Sequence, residues 1–152
     1  MIIWVDADAC PRRALAITRE IATRYDLDVW TVSSYRHEFS HERHITVDAS
    51  PQATDLAILK RLTRGDVVIT QDYGLASLVL ARGGHALSPI GKRYTDDNID
   101  RMLLERDLAA RARRSRKTFR VKGPAPRTGA DDRRFASQLE LLLATTHPRE
   151  AN

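Results

Sequence analysis

Asp6 and Asp8 stand two residues apart at the end of a short apolar run, Met1-Ile2-Ile3-Trp4-Val5. A run rich in β-branched and aromatic residues reads as a buried strand, and alternate side chains of a strand share a face. Both carboxylates therefore belong at the strand's C-terminal end, where open α/β sheets bind their ligands. A second run, Val67-Val68-Ile69, leads to Thr70-Gln71-Asp72, and Asp55 falls near the start of the helical pattern before it. Acids from separate strand and helix ends that meet at one sheet edge repel one another unless a cation or proton intervenes. Carboxylates are the ligands that Mg²⁺ and Mn²⁺ prefer, and such an ion activates water for attack on a phosphodiester. The expected ligands are Asp6, Asp55 and Asp72, with Asp55 alternatively a water-orienting base. Asp8 supports them or a second metal, and the Thr70 hydroxyl orients a phosphate or a water. The plain alternative makes these aspartates helix caps and turn formers.

The elements that must position these groups alternate between strands and helices. Strands are expected at 1–5, 28–32, 44–48 and 66–70, with an edge strand at 85–88 closed by Pro89. Helices are expected from Pro11, with Ala14, Ile17, Ile21 and Tyr25 on one face, and from Ser50-Pro51, ending near Gly65. A third carries Leu75, Leu78 and Val79 inward, and a longer one is capped at Asp96-Asp97-Asn98. The last is capped by Asp131 or Asp132 and bears Phe135, Leu139, Leu142 and Leu143 on one stripe. Alternation of this kind predicts an α/β, single-domain three-layer sandwich, a mostly parallel sheet with helices on both faces. The domain spans residues 1–146, with a frayed tail at 147–152.

Charge is unevenly spread along the 152 residues, whose net charge is +5. Residues 101–127 hold ten Lys and Arg against Glu105 and Asp107, while the first hundred residues are slightly acidic. An acidic site beside a basic arm suits a polyanion, so nucleic acid is the expected partner, RNA in preference to DNA. Its backbone would be held by Lys92, Arg93, Arg111, Arg113, Arg114, Arg116 and Lys117. A solvated basic helix is the competing account. No run is long enough for a membrane span and no signal-peptide layout is seen, so a cytoplasmic location is expected. Oligomeric state is left open, because the strand near 86–88 can pair between subunits or be covered.

Two other patterns are set aside. His37-Glu38-Phe39-Ser40-His41 fits the zinc-protease pattern H-E-x-x-H, but it falls in a polar connection rather than on a helix. Cys10, the only cysteine, sits at a helix start without a base beside it, so a small turn-filling residue is expected.

Val5-Asp6-Ala7-Asp8-Ala9-Cys10-Pro11 and the stretch Gly65-Asp66-Val67-Val68-Ile69-Thr70-Gln71-Asp72-Tyr73-Gly74-Leu75-Ala76 resemble the signature blocks of the YaiI/YqxD family of uncharacterised bacterial proteins. Similarity extends through Asp55, Gly91…Tyr94-Thr95…Asn98-Ile99 and Gly123-Pro124…Asp132…Phe135. The resemblance implies a PIN-like fold, whose nucleases hold Mg²⁺ or Mn²⁺ with acids at corresponding strand ends. Asp6, Asp55 and Asp72 match that pattern. Asp8 has no dependable counterpart, and Asp96 and Asp97 are candidates for a fourth acid. A metal-dependent nuclease is the function so implied. The alternatives are a non-catalytic RNA- or protein-binding module and a haloacid-dehalogenase-like phosphatase using Asp6 as nucleophile, with Lys92 ahead of Asp96-Asp97.

Overall fold

A computed structural model describes residues 1–34, 43–115 and 125–148. The H-E-x-x-H segment, Arg116 and Lys117 lie outside the described residues. Among the described residues six strands form one sheet: β1 (Ile2–Asp6), β2 (Asp28–Ser33), β3 (His44–Thr46), β4 (Val67–Ile69), β5 (His85–Leu87) and β6 (Arg93–Tyr94). Their order is β3-β2-β1-β4-β5-β6, parallel except for β6 against β5. The helices among the described residues are α1 (Arg12–Arg24), α2 (Ala53–Arg61), α3 (Tyr73–Ala81), α4 (Asp96–Ser115) and α5 (Gly129–Thr146).

The chain steps outward from β1 to β3, then returns to the other side of β1 and steps outward from β4 to β6. Parallel crossovers are right-handed, so reversing the direction of travel puts α2 and α3 on the face opposite α1. The apolar residues divide accordingly. Ile3, Val5, Val67, Ile69 and Leu87 pack with Ala14 and Ile21 of α1 and with Phe135, Leu139, Leu142 and Leu143 of α5. Trp4, Val68 and Ala86 point the other way, toward Ile58 of α2, Leu75 and Val79 of α3, and Ile99 and Met102 of α4. The three-layer α/β sandwich expected from the alternation is what forms, and strand periodicity alone assigns each of these side chains to its layer.

Several local expectations give way to tertiary packing. Residues 85–88 do not form an edge: β6 hydrogen-bonds to the outer side of β5 and takes that place. Leu78 is half exposed, and Leu75, Ala76 and Val79 bury the inner stripe of α3. Helix α2 begins at Ala53 rather than at Ser50-Pro51, because Gln52 adopts a left-handed backbone with φ of 66°. Thr128, not Asp131 or Asp132, caps α5, and Asp131 completes a capping box with it. Asn98 and Thr95 exchange hydrogen bonds of 2.9 and 3.3 Å at the start of α4, where Asp96 and Asp97 are first-turn residues. Gly91 turns the chain between β5 and β6 at φ 87°, and a Cβ there would come within 2.8 Å of the backbone of Arg134, so α5 can close on this turn only over a glycine.

Asp66 is the buried acid of the structure's other end. At 1% exposure it accepts from the backbone N–H of Ile2 (2.9 Å) and Thr63 (2.9 Å) and from the Trp4 indole (3.1 Å). It ties the start of β1 to the turn before β4, and so fixes the register of the two strands that carry the site.

Candidate functional site

Strands β1 and β4 lie side by side although the chain visits β2 and β3 between them, so their C-terminal ends mark the sheet's topological switch point. That is where an open α/β sheet has a crevice, since the following segments diverge to opposite faces. A pocket of about 420 Å³ opens here, lined by Asp6, Asp8, Asp55 and Asp72, with Ser34, Thr54 and Gln71 among the other polar groups. Asp6, Asp8, Asp55 and Asp72 thus all face one pocket.

Each acid is held differently. Asp6 ends β1 and its Oδ2 accepts the Thr70 hydroxyl at 2.9 Å. Thr70 is buried, and its oxygen also accepts the backbone N–H of Asp72 at 3.0 Å. Its single proton is committed to Asp6, so the hydroxyl positions that carboxylate rather than orienting a phosphate or a water. Tyr94 of β6 fixes the same residue by donating to the Thr70 carbonyl at 3.1 Å.

Asp72 is the N-cap of α3, with Oδ1 accepting from the N–H groups of Gly74 (2.8 Å) and Leu75 (3.1 Å). It is therefore both the cap that the plain alternative foresaw and a wall of the pocket. Asp8 accepts from the Ser34 N–H at 2.9 Å, the Ser34 hydroxyl at 3.0 Å and the Thr54 hydroxyl at 3.1 Å. It ties the end of β2 and the first turn of α2 to the loop after β1. Asp55, one residue beyond Thr54, accepts no hydrogen bond from the described residues.

The electrostatics follow from this arrangement. Burial raises the Asp6 carboxyl above its usual range, the Thr70 hydrogen bond opposes the rise, and the charges of Asp8 and Asp72 add to it. Asp55 is pushed up to about 6, first by burial and then by the charges of Asp72 and Asp6. Asp55 thus feels the charges of Asp72 and Asp6 across the pocket, and Asp6 feels those of Asp72 and Asp8. Among the described residues no three His, Cys, Asp or Glu side chains form a ready-made metal cage. The donor set is nevertheless all carboxylate oxygen with neutral hydroxyls beside it, the chemistry suited to a hard dication. It fits Mg²⁺ or Mn²⁺ in kind, with Asp6, Asp55 and Asp72 as the residues that would hold it.

The basic residues sort themselves by the course of α4. Strand β6 runs antiparallel to β5, so α4 starts at the edge opposite the pocket and runs back toward it. Asp96 and Asp97, in the first turn of α4, are not among the residues that line the pocket. Ile99 and Met102 pack on the sheet. Four residues beyond Met102, Arg106 reaches Asp72 with an N–O distance of 4.0 Å. The remaining turns of α4, with Arg111, Arg113 and Arg114, are exposed and run on past that edge. Arg111 pairs with Asp107 at 3.2 Å. Lys92 lies in the β5–β6 connection and Arg93 opens β6, and neither lines the pocket.

Arg106 and Tyr73 escaped the reading of the sequence. Arg106 falls on the stripe Ile99, Met102, Arg106, so a cation at a position meant to face the body was the signal available. Ser34 and Thr54, which fasten Asp8, carried no signal at all, since their proximity arises only when β2 and α2 converge.

A model of the uncharacterised YaiI/YqxD family matches residues 4–145. A UPF0178 protein of Heliobacterium modesticaldum is 43% identical over 143 residues, covering 94% of this chain and 97% of the relative. UPF0178 proteins of Clostridium acetobutylicum and Bacillus cereus are 39% and 40% identical over 145 and 149 residues, with coverage of 94% or more on both sides. No solved structure matches the chain at a significant level.

Proposed function

The chain belongs to the YaiI/YqxD family of uncharacterised bacterial proteins, and we propose that its acidic pocket is the active site of a metal-dependent nuclease acting on RNA in preference to DNA. The observation that carries this is the shared pocket at the switch point, lined by Asp6, Asp8, Asp55 and Asp72, in which burial and the neighbouring carboxylates raise the proton affinity of Asp6 and Asp55. Clustered acids cost stability, and a site that binds a dication gives them a reason. The implied kinship with PIN-like nucleases, which place acids at corresponding strand ends, points the same way.

The residues have separable tasks. Thr70 holds Asp6 with one oxygen engaged and the other available to the pocket. Asp72 is fixed as a helix cap and so presents its carboxylate in one orientation. Asp55, half-buried and without a hydrogen-bond donor among the described residues, would complete the ligand set or, alternatively, orient the attacking water. When bound, a divalent cation supplies charge stabilisation at the phosphate and lowers the pKa of water. Ser34, Thr54 and Gln71 line the pocket with groups that can meet a ribose hydroxyl. The exposed end of α4 supplies contacts to the backbone without reading sequence.

Asp6→Asn and Asp72→Asn, assayed on labelled single-stranded RNA with Mn²⁺, are expected to lose cleavage while their circular dichroism stays that of the wild type. Asparagine keeps the shape and can still cap α3. Cleavage undiminished in both variants would reject the proposal.

A further inference from the structure

Arg106 is the one cation paired with any of the four pocket acids among the described residues. The guanidinium is held loosely in three respects. Its distance to Asp72 Oδ1 is 4.0 Å, beyond hydrogen-bonding reach, and both side chains are about half exposed, at 52% and 44%. The same Asp72 oxygen already accepts two backbone N–H groups of α3, so the carboxylate does not depend on Arg106 for its partners. The guanidinium carbon also lies 6.0 Å from the centroid of the Tyr73 ring, which Tyr94 braces edge-on from 5.7 Å. An arginine with an aromatic seat, a dispensable ion pair and an exposed head is free to exchange one anion for another. A phosphate offers two parallel acceptors, which the planar fork matches better than a single distant carboxylate oxygen.

The position on α4 says where such an anion would come from. Arg113 is seven residues on, two turns along the same stripe and roughly 10 Å farther from the body. Arg113 and Arg114 form no ion pair among the described residues. A strand lying along this stripe meets Arg113 outside and Arg106 at the pocket's mouth.

We propose that Arg106 is a swinging phosphate contact: paired with Asp72 in the free protein, it turns to a backbone phosphate of a nucleic acid strand lying along α4 and thereby releases Asp72 to the pocket. The identity of the polyanion rests on the nuclease assignment above. The switch itself does not, and its test needs neither metal nor cleavage.

Four proteins are compared: wild type, Arg106→Gln, Asp72→Asn and the double variant. Each binds a fluorescent single-stranded phosphorothioate oligothymidylate in the presence of EDTA, with affinity read by anisotropy. Arg106→Gln is expected to bind more weakly. Asp72→Asn frees Arg106 from its competing partner, and the oligonucleotide should bind about twofold to fivefold more tightly, the span of an exposed ion pair. In the Arg106→Gln background the same Asp72→Asn change should give little or no gain. An equal gain in both backgrounds would mean that Asp72 merely repels the strand, and would overturn the switch. So would an Arg106→Gln variant that binds as wild type does. If these affinities follow the expected pattern while no Mn²⁺-dependent cleavage is found, the nuclease assignment fails and the switch stands.

Discussion

Replacing Asp55 by asparagine should stabilise the protein, and only above the pH at which its carboxyl ionises. Asp55 is half-buried, faces Asp72 and Asp6, and is pushed up to about 6 from 3.8. The sign follows from which state binds the proton. Between these values the unfolded chain has ionised while the folded chain keeps its proton, so stability falls as pH rises across that window. Above about 6 the full penalty is present, and below about 4 it is absent. Two units correspond to about 3 kcal/mol, at 1.36 kcal/mol per unit. Solvent screening at a half-exposed site reduces this to roughly 1–2 kcal/mol. Asparagine also gives up the attraction of a negative charge for the start of α2, about 0.5 kcal/mol.

The expected net gain for Asp55→Asn near neutral pH is therefore about 1 kcal/mol, a rise of roughly 2–4 °C in Tm for a chain of this size. Differential scanning calorimetry at about pH 7.5 and about pH 4 measures both limbs of the effect. Millimolar Mn²⁺ should raise the Tm of the wild type and leave the variant nearly unmoved, because ligand binding stabilises only the state that binds. A variant that melts at or below the wild type at neutral pH would refute the reasoning. So would an advantage that persists unchanged in acid, since repulsion between ionised carboxylates would then not be its cause.

Thr70→Val removes the donor to Asp6 and the acceptor for the Asp72 N–H. It should cost about 1–3 kcal/mol in urea unfolding and raise the Asp6 carboxyl further, read as a shifted carbon-13 titration midpoint. Asp66→Ala strands three donors, among them the Trp4 indole, and should cost about 3 kcal/mol or more. A loss below about 1 kcal/mol would mean that water replaces it freely. Cys10 is pushed up to about 12, chiefly by burial, so thiolate is scarce at mildly alkaline pH. A disulfide reagent should therefore react with the folded protein about a hundredfold more slowly than with the urea-unfolded chain. Comparable rates would mean that the thiol is not shielded.

Period and type carry much of this molecule in the chain itself. The alternation in Ile3-Trp4-Val5 and Val67-Val68-Ile69 decides which side chains face α1 and α5 and which face α2, α3 and α4, because a strand has no other way to dispose them. The helical stripe Phe135, Leu139, Leu142 and Leu143 fixes the inner face of α5 for the same kind of reason. Asp6 and Asp72 announce themselves by ending apolar strands. What lies far apart along the chain could not be read there. The seating of β6 outside β5, the grip of Ser34 and Thr54 on Asp8, and the reach of Arg106 to Asp72 join residues between 6 and 46 positions apart. Such contacts depend on strand order and on the direction in which α4 returns, and strand order is a property of the packed sheet. The Thr70 hydroxyl makes the same point within a single residue. Its chemistry is written in the sequence, but whether its proton goes to a ligand or to Asp6 is decided by β1 lying beside β4.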